Sequence, residues 1–200
     1  MTACAAMRRL LLLVVAGVVS GVLLGAFACS GTDPSTATVD GTVGGITLQA
    51  HDAIFAALVL EDGLHHDAVL ISDYPNACTQ SRDNASVPNG TRLILALTQR
   101  APTGAVEPAT PGDFLIGAPA GAQRVAEAEL QKDDASCAAT LDAAAGQALS
   151  GTVTVSASDT EFIDGTFDLL MPAGEHLTGQ FHAAICAEPT HKPLPTCRVE

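Results

Sequence analysis

The only pair of adjacent histidines in the chain suggests a metal-binding motif. His65, His66 and Asp67 carry the imidazole and carboxylate groups that bind transition metals in proteins. Adjacent residues of a β-strand point to opposite faces, so both imidazoles could bind one ion only from a loop. The preceding residues Asp62-Gly63 are typical of a turn and therefore allow such a loop. The sequence favours an exposed polar turn here, with a metal site as the alternative, and no cofactor is predicted.

No motif in the chain indicates a catalytic centre, and no catalytic residue is predicted. The sequence lacks a Gly-x-Ser-x-Gly nucleophile elbow, a His-Glu-x-x-His zinc motif and the glycine-rich loops that bind phosphates. A catalytic triad can form on any fold from residues distant in sequence. An exported hydrolase with a site assembled across loops is therefore the alternative function. A concave pocket that joins a histidine to a carboxylate and a nucleophile would favour it.

The amino-terminal segment has the features of a secretory signal peptide. Two arginines precede a run without charged side chains, Leu10 to Phe27, which is followed by a small residue and a cysteine. Residues 24–29, Leu-Gly-Ala-Phe-Ala-Cys, resemble the lipobox of bacterial lipoproteins. That resemblance implies that residues 1–28 form a signal peptide that is removed. It also implies that the thiol of Cys29 carries fatty acyl groups such as palmitate.

Two alternatives to the lipid anchor remain open. An ordinary signal peptide could be cleaved after Ala28, since Ala26-Phe27-Ala28 also fits the A-x-A pattern. An uncleaved anchor helix is the second alternative, because the apolar run reaches the lower limit of length for spanning a bilayer. The start of translation is also open between Met1 and Met7.

Four cysteines follow Cys29 and are available for disulfide bonds: Cys78, Cys137, Cys186 and Cys197. An even number of cysteines in an exported chain predicts two disulfides. Three pairings are open, and the short loop from Cys186 to Cys197 favours that bridge together with Cys78–Cys137. A zinc site is the rival interpretation, but the chain has no Cys-x-x-Cys pair.

Charge and composition exclude several classes of partner. The chain has 9 basic and 22 acidic side chains, and its formal net charge is −13. Removal of residues 1–28 takes away two arginines and no acid, which leaves 7 basic residues and a net charge of −15. This balance argues against nucleic acids, which are bound through Lys and Arg at phosphates, and against anionic headgroups. The lack of Trp and the single Tyr argue against carbohydrate platforms.

The mature chain is predicted to be one all-β domain. Residues 29–37 combine the acylated cysteine with a small, polar, flexible tether, and the domain spans residues 38–200. Alternating apolar and polar residues indicate strands, as in Thr152–Ser156 and in the hairpin that turns at Pro172–Glu175. About eight antiparallel strands in a sandwich or barrel are expected, with a short helix favoured in the Ala-rich stretch 135–149.

These features together predict an exported lipoprotein of the cell envelope, anchored to a membrane on its periplasmic or extracellular face. The β domain is expected to be a non-enzymatic binding domain or a structural domain of the envelope, with a protein or a small molecule as its partner. The mature part also resembles the uncharacterised predicted lipoproteins of bacteria, and that resemblance implies no activity.

Overall fold

The computed structural model describes residues 35–59, 65–186 and 196–197. The chain divides into two units, Met1–Asp33 and Pro34–Glu200, and every described residue belongs to the second. This unit contains the described sheets, the hydrophobic core and both disulfides. We therefore expect it to fold on its own. In chain order its elements are β1 (Thr36–Asp40), β2 (Asp52–Val59), β3 (His65–Ser72), α1 (Ala77–Arg82), β4 (Ala85–Ser86), β5 (Thr91–Arg100), β6 (Val106–Glu107), β7 (Gly112–Ile116), β8 (Arg124–Lys132), α2 (Ala143–Gly146), β9 (Ser150–Ser158), β10 (Phe162–Leu170), β11 (His176–Ile185) and β12 (Thr196–Cys197).

Eight strands form a closed barrel in the order β2-β3-β5-β8-β7-β9-β10-β11, and β11 closes it by pairing with β2. Residues 178–182 in the middle of β11 also pair with β1, and β6 pairs with β5. The all-β barrel is confirmed, but the sheet is mixed and not purely antiparallel. β7 runs parallel to β8, and β2 runs parallel to β11 at Ile54 and Phe55. Side chains alternate between the two faces of a sheet in parallel and in antiparallel strands alike. The sequence pattern therefore does not indicate the direction of a strand relative to its neighbour.

Apolar side chains of the strands fill the interior of the barrel. Inward-facing residues alternate along β5, where Leu93, Leu95 and Leu97 are at most 1% exposed. On β8, small residues lie opposite two of these leucines, because Ala128 pairs with Leu95 and Ala126 pairs with Leu97. An eight-stranded barrel has just enough room inside for its own side chains. The inside of this barrel is therefore the hydrophobic core of the domain.

Two glycines allow aromatic rings to pack across the hairpin of β10 and β11. Gly165 is the direct cross-strand partner of Phe181, and Gly179 is the partner of Phe167. A Cβ atom at Gly165 would lie 2.3 Å from the Thr154 carbonyl oxygen and 2.5 Å from Phe181 Cζ. Gly165 therefore leaves the space that the ring opposite it occupies.

Gly165→Ala is expected to lower the free energy of unfolding by about 2–3 kcal/mol, because overpacking displaces the Phe181 ring and a neighbouring strand. Urea denaturation of the Pro34–Glu200 unit measures this change. Thr166→Ala, at the adjacent exposed position, is the control and should stay within about 0.5 kcal/mol of wild type. A Gly165→Ala protein as stable as the control would contradict the packing argument.

A second layer covers part of the outer wall of the barrel. We call residues 73–90, which carry α1 and β4, the flap. Ile54 and Ala56 of β2 are buried in a second apolar cluster together with Tyr74 and Ala77 of the flap. This cluster is separate from the core inside the barrel, so the wall formed by β2 is covered on both faces.

Two disulfides hold the flap. Cys78 of α1 is bonded to Cys186 at the end of β11, and Cys137 is bonded to Cys197 of β12, which pairs with β4. Two disulfides among these four cysteines are confirmed, but the favoured pairing, Cys186–Cys197 with Cys78–Cys137, is wrong. The end of β11 lies beside β2, and α1 packs against β2. The fold therefore brings Cys78 to Cys186 although 108 residues separate them.

Three expectations concern the ends of the domain and the helix. The short helix is confirmed, since α2 lies within residues 135–149 and its first turn is capped by the Asp142 carboxylate. The predicted tether is too long by two residues, because β1 already begins at Thr36 and pairs there with β11. The predicted signal peptide and Cys29 lie outside the described residues.

Candidate functional site

A cleft of about 260 Å³ lies between the flap and the outer wall of the barrel. Its floor is formed by apolar side chains of three neighbouring strands: Ile54, Ala56, Ala68, Leu70 and Ile94. Polar side chains of the flap and of the adjacent ends of β5 and β8 surround this floor: Tyr74, Gln80, Ser81, Asn84, Ser86, Arg92 and Gln131. An apolar floor with a small number of polar groups is the usual arrangement of a small-molecule site.

Hydrogen bonds from barrel side chains fix the position of the flap. The Asp52 carboxylate accepts a hydrogen bond from the Ala77 N–H at 2.9 Å, at the start of α1, and another from Ser35 Oγ at 2.7 Å. Ser72, which is fully buried in β3, donates its hydroxyl to the Tyr74 carbonyl at 2.8 Å. These bonds join the flap to β2 and β3 and so define one wall of the cleft.

Arg92 is the single charged side chain among the described residues that line the cleft. Its Nε donates to Gln131 Oε1 at 2.7 Å, and its Nη1 donates to the Asp133 carboxylate at 3.0 Å. The Asp133 side chain is only 6% exposed, so water screens this ion pair weakly. The positive charge of Arg92 is therefore compensated within the protein.

The Tyr74 hydroxyl belongs to the same polar group. Burial raises the pKa of Tyr74 above its ordinary value, and the charge and hydrogen bond of Arg92 oppose part of that rise. The phenol therefore keeps its proton throughout the physiological pH range. Together with the Arg92–Asp133 ion pair, it gives the cleft a polar end without net charge.

Gln80 supplies an unused hydrogen-bond acceptor. Its side chain lines the cleft from α1, and its Oε1 is buried without a hydrogen-bond partner among the residues that the structure describes. A buried polar atom without a partner costs about 1–3 kcal/mol, and native proteins contain few such atoms. Gln80 Oε1 is therefore a candidate contact for a ligand, since a donor in the cleft would remove that cost once the amide turns toward it.

A second polar cluster lies on the outer face of β1, β9, β10 and β11. His182 Nδ1 and Asp164 Oδ1 are 2.5 Å apart, and the imidazole stacks on Phe162 with 4.2 Å between ring centroids. Thr36 and Ser156 line the same depression. His182 Nε2 is buried, but no hydroxyl in the described part of the chain hydrogen-bonds to it. The cluster thus has the oriented histidine of a hydrolase without a nucleophile bonded to it.

The structure does not place the predicted metal ligands in a loop. His65 and His66 are consecutive residues of β3, whereas a site shared by both imidazoles requires a loop. Asp67 Oδ2 accepts a hydrogen bond from the Ala109 N–H at 2.6 Å. Among the side chains that the structure describes, which do not include those of His65 and His66, no three His, Cys, Asp or Glu residues are grouped closely enough to hold a metal. The metal site therefore stays a prediction without support from the described ligand set.

The sequence interpretation missed the cleft residues Gln80 and Arg92. The available signal was apolar side chains on both faces of neighbouring strands, such as Leu70 beside Ile71 and Ile94 beside Leu95. A strand that is apolar on both faces is buried on both faces. This pattern indicates a covering layer over the barrel wall, and Arg92 lies two residues before Ile94, in phase with it on that face.

Comparisons with protein-family models, with curated proteins and with solved structures find no match to this chain. Neither of the two described helices has the length and hydropathy needed to cross a membrane. The function is therefore inferred from the chemistry and geometry of the chain itself.

Proposed function

We propose that this chain is an exported lipoprotein whose barrel domain binds a small, largely apolar molecule in the cleft beneath the flap. The observation that carries the proposal is the cleft, with its apolar floor, its neutral polar end and the unpaired Gln80 Oε1. The barrel interior is filled by its own side chains, which leaves the outer wall for binding.

A lipid on Cys29 belongs to the same proposal. Ser35 is the sixth residue after Cys29, and six residues of extended chain span at most about 20 Å. Ser35 donates to Asp52, and Asp52 also accepts from the first turn of α1, so the chain enters the domain beside the flap. The cleft would then lie close to the membrane surface. The two disulfides fit export to an oxidising compartment.

The hydrolase alternative has less support. Asp164 orients the imidazole of His182, as the acid of a triad does, but no described hydroxyl is hydrogen-bonded to Nε2. The described lining of the cleft contains no histidine, so the apolar site and the oriented imidazole are in different places. We therefore propose binding without turnover.

Ala68→Phe is expected to weaken binding of an apolar probe by about tenfold or more, because the new ring occupies the floor of the cleft. The probe is naphthalene, whose roughly ten non-hydrogen atoms suit this volume, given that a cavity of about 150 Å³ holds benzene. Binding to the Pro34–Glu200 unit is measured from the amide chemical shifts of β2, β3 and β5 in ¹H–¹⁵N NMR titrations.

Matched variants separate filling of the cleft from a general loss of structure. Ala157→Phe makes the same change at an exposed position of β9 and should bind naphthalene as wild type does. Ser81→Phe fills the cleft from the flap, and it covers the case in which Ala68→Phe does not fold. The proposed site is refuted if naphthalene shifts no cleft amides, or if it binds a folded filled variant as tightly as it binds wild type.

A further inference from the structure

We infer that the ligand of the cleft is a neutral amphiphile, with a hydrocarbon body and a hydroxyl or amide N–H that donates a hydrogen bond to Gln80 Oε1. This inference rests on the proposed function and specifies the chemistry of its ligand. Three properties of the cleft carry it: the unpaired acceptor, the compensated charge and the apolar volume.

The unpaired acceptor selects for a donor. Gln80 Oε1 has lone pairs and no hydrogen, so only an O–H or N–H group can pair with it. The atom is closed to a water-sized molecule and has no partner in the described part of the chain, so the Gln80 amide must turn toward the cleft for a ligand to reach it. A ligand with a donor gains a hydrogen bond there, whereas an ether or a hydrocarbon of equal size leaves the oxygen unpaired. Of two ligands of equal size, the one with an O–H or N–H hydrogen is therefore expected to bind more tightly.

The compensated charge selects for a neutral molecule. The Arg92 guanidinium already donates to Gln131 and to Asp133, so an anion would have to compete with a buried carboxylate at 3.0 Å. A cation would meet Arg92 and would find no carboxylate on the described lining. Tyr74 adds no charge, since burial raises its pKa and its hydroxyl stays protonated. Transfer of an ion into this site would therefore lose hydration without gaining a counter-charge.

The floor and the volume select for a short hydrocarbon body. Ile54, Leu70 and Ile94 present methyl and methylene groups to the cleft and no polar side-chain atom. A volume of about 260 Å³ accommodates roughly ten non-hydrogen atoms, on the scale at which about 150 Å³ holds benzene. A ligand of this size is expected to bind with a dissociation constant of roughly 0.1–1 mM. Medium-chain alcohols meet all three requirements.

The isomers 1-octanol and methyl heptyl ether test the inference, because they contain the same atoms and only the alcohol has a hydroxyl proton. We expect 1-octanol to bind the Pro34–Glu200 unit about tenfold more tightly than the ether, measured by ¹H–¹⁵N NMR titration of the cleft amides. In Gln80→Leu the preference should fall below about twofold, because leucine has no acceptor. Gln180→Leu, at an exposed glutamine of β11, is the matched control and should keep the preference.

The outcomes distinguish failure of this inference from failure of the proposed function. Equal binding of the two isomers to wild type would overturn the donor requirement and would still support a ligand site in the cleft. A preference that survives Gln80→Leu would also overturn it, since another group would then be the acceptor. Tighter binding of octanoate than of 1-octanol would overturn the requirement for a neutral ligand. If neither isomer nor naphthalene shifts the cleft amides, the inference and the proposed function both fail.

Discussion

Replacing both Cys78 and Cys186 by serine is expected to lower the free energy of unfolding by about 4–5 kcal/mol. The bridge spans 108 residues, and restriction of the unfolded chain by a loop of roughly 100 residues contributes about 4.7 kcal/mol in the chain-entropy model. Urea denaturation of the oxidised Pro34–Glu200 unit measures the loss. Local opening should be greatest in α1, because Cys78 holds that helix against the barrel, so hydrogen exchange should accelerate there more than in β5.

The second disulfide, Cys137–Cys197, is the control that shows whether loss of binding depends on releasing α1 in particular. Replacing Cys137 and Cys197 by serine removes a bridge across 60 residues, for which the same model gives about 4 kcal/mol. That variant keeps α1 bonded to β11 and should still bind naphthalene. The Cys78/Cys186 variant should bind it about tenfold more weakly, because one wall of the cleft is released. Wild-type binding in both variants would show that hydrogen bonds alone, such as those of Asp52, position the flap.

The barrel could be predicted because its strands keep a period of two. Leu93, Leu95 and Leu97 face the core whatever strand lies beside them, so the inner face of β5 is visible in the sequence. The parallel pairing of β2 with β11 is not visible, because it joins segments far apart in the chain. Strand direction and closure depend on connections that cross the fold, and alternation contains neither.

The disulfide pairing could not be predicted for a related reason. Which cysteines pair depends on which segments pack together in the folded domain. The argument from the short loop between Cys186 and Cys197 considers only the distance along the chain. In the folded domain, Cys186 lies at the end of β11 beside β2, and α1 brings Cys78 to the same place. The number of cysteines follows from composition and compartment, whereas their partners follow from tertiary structure.

The cleft is formed by two layers, the barrel wall and the flap, and only the barrel wall has a clear pattern in the sequence. Ile54, Leu70 and Ile94 show in the sequence that the outer wall of the barrel is covered. The covering flap is polar and rich in turn-forming residues, which is typical of a loop. Nothing in such a segment indicates that Gln80 Oε1 is buried, since its burial depends on the packing of α1 against β2. The acceptor that defines the proposed ligand is therefore visible only in the folded domain.

Cys29→Ala is expected to abolish incorporation of radioactive palmitate into the full chain expressed in a bacterial host. The reason is that the proposed acyl acceptor is the thiol, and alanine offers no group for acylation. The same substitution should move the protein from the membrane fraction to the soluble fraction, because acyl chains buried in the bilayer supply the binding energy. Cys4→Ala is the matched control, since Cys4 lies in the segment proposed for removal, and it should leave labelling unchanged.

The first residue of the purified protein, together with its labelling and its cell fraction, distinguishes the three alternatives that the sequence leaves open: a lipoprotein, simple secretion and an uncleaved anchor. A labelled chain that begins at Cys29 supports the lipoprotein, whereas an unlabelled soluble chain with the same start would mean simple secretion. An unlabelled chain that keeps residues 1–28 and stays in the membrane fraction would mean an uncleaved anchor. The distinction matters for the cleft, because acylation of Cys29 would hold Ser35 within about 20 Å of the bilayer. A labelled Cys29 would place the domain beside the bilayer into which neutral amphiphiles partition, whereas a released domain would meet them only at their low concentration in water.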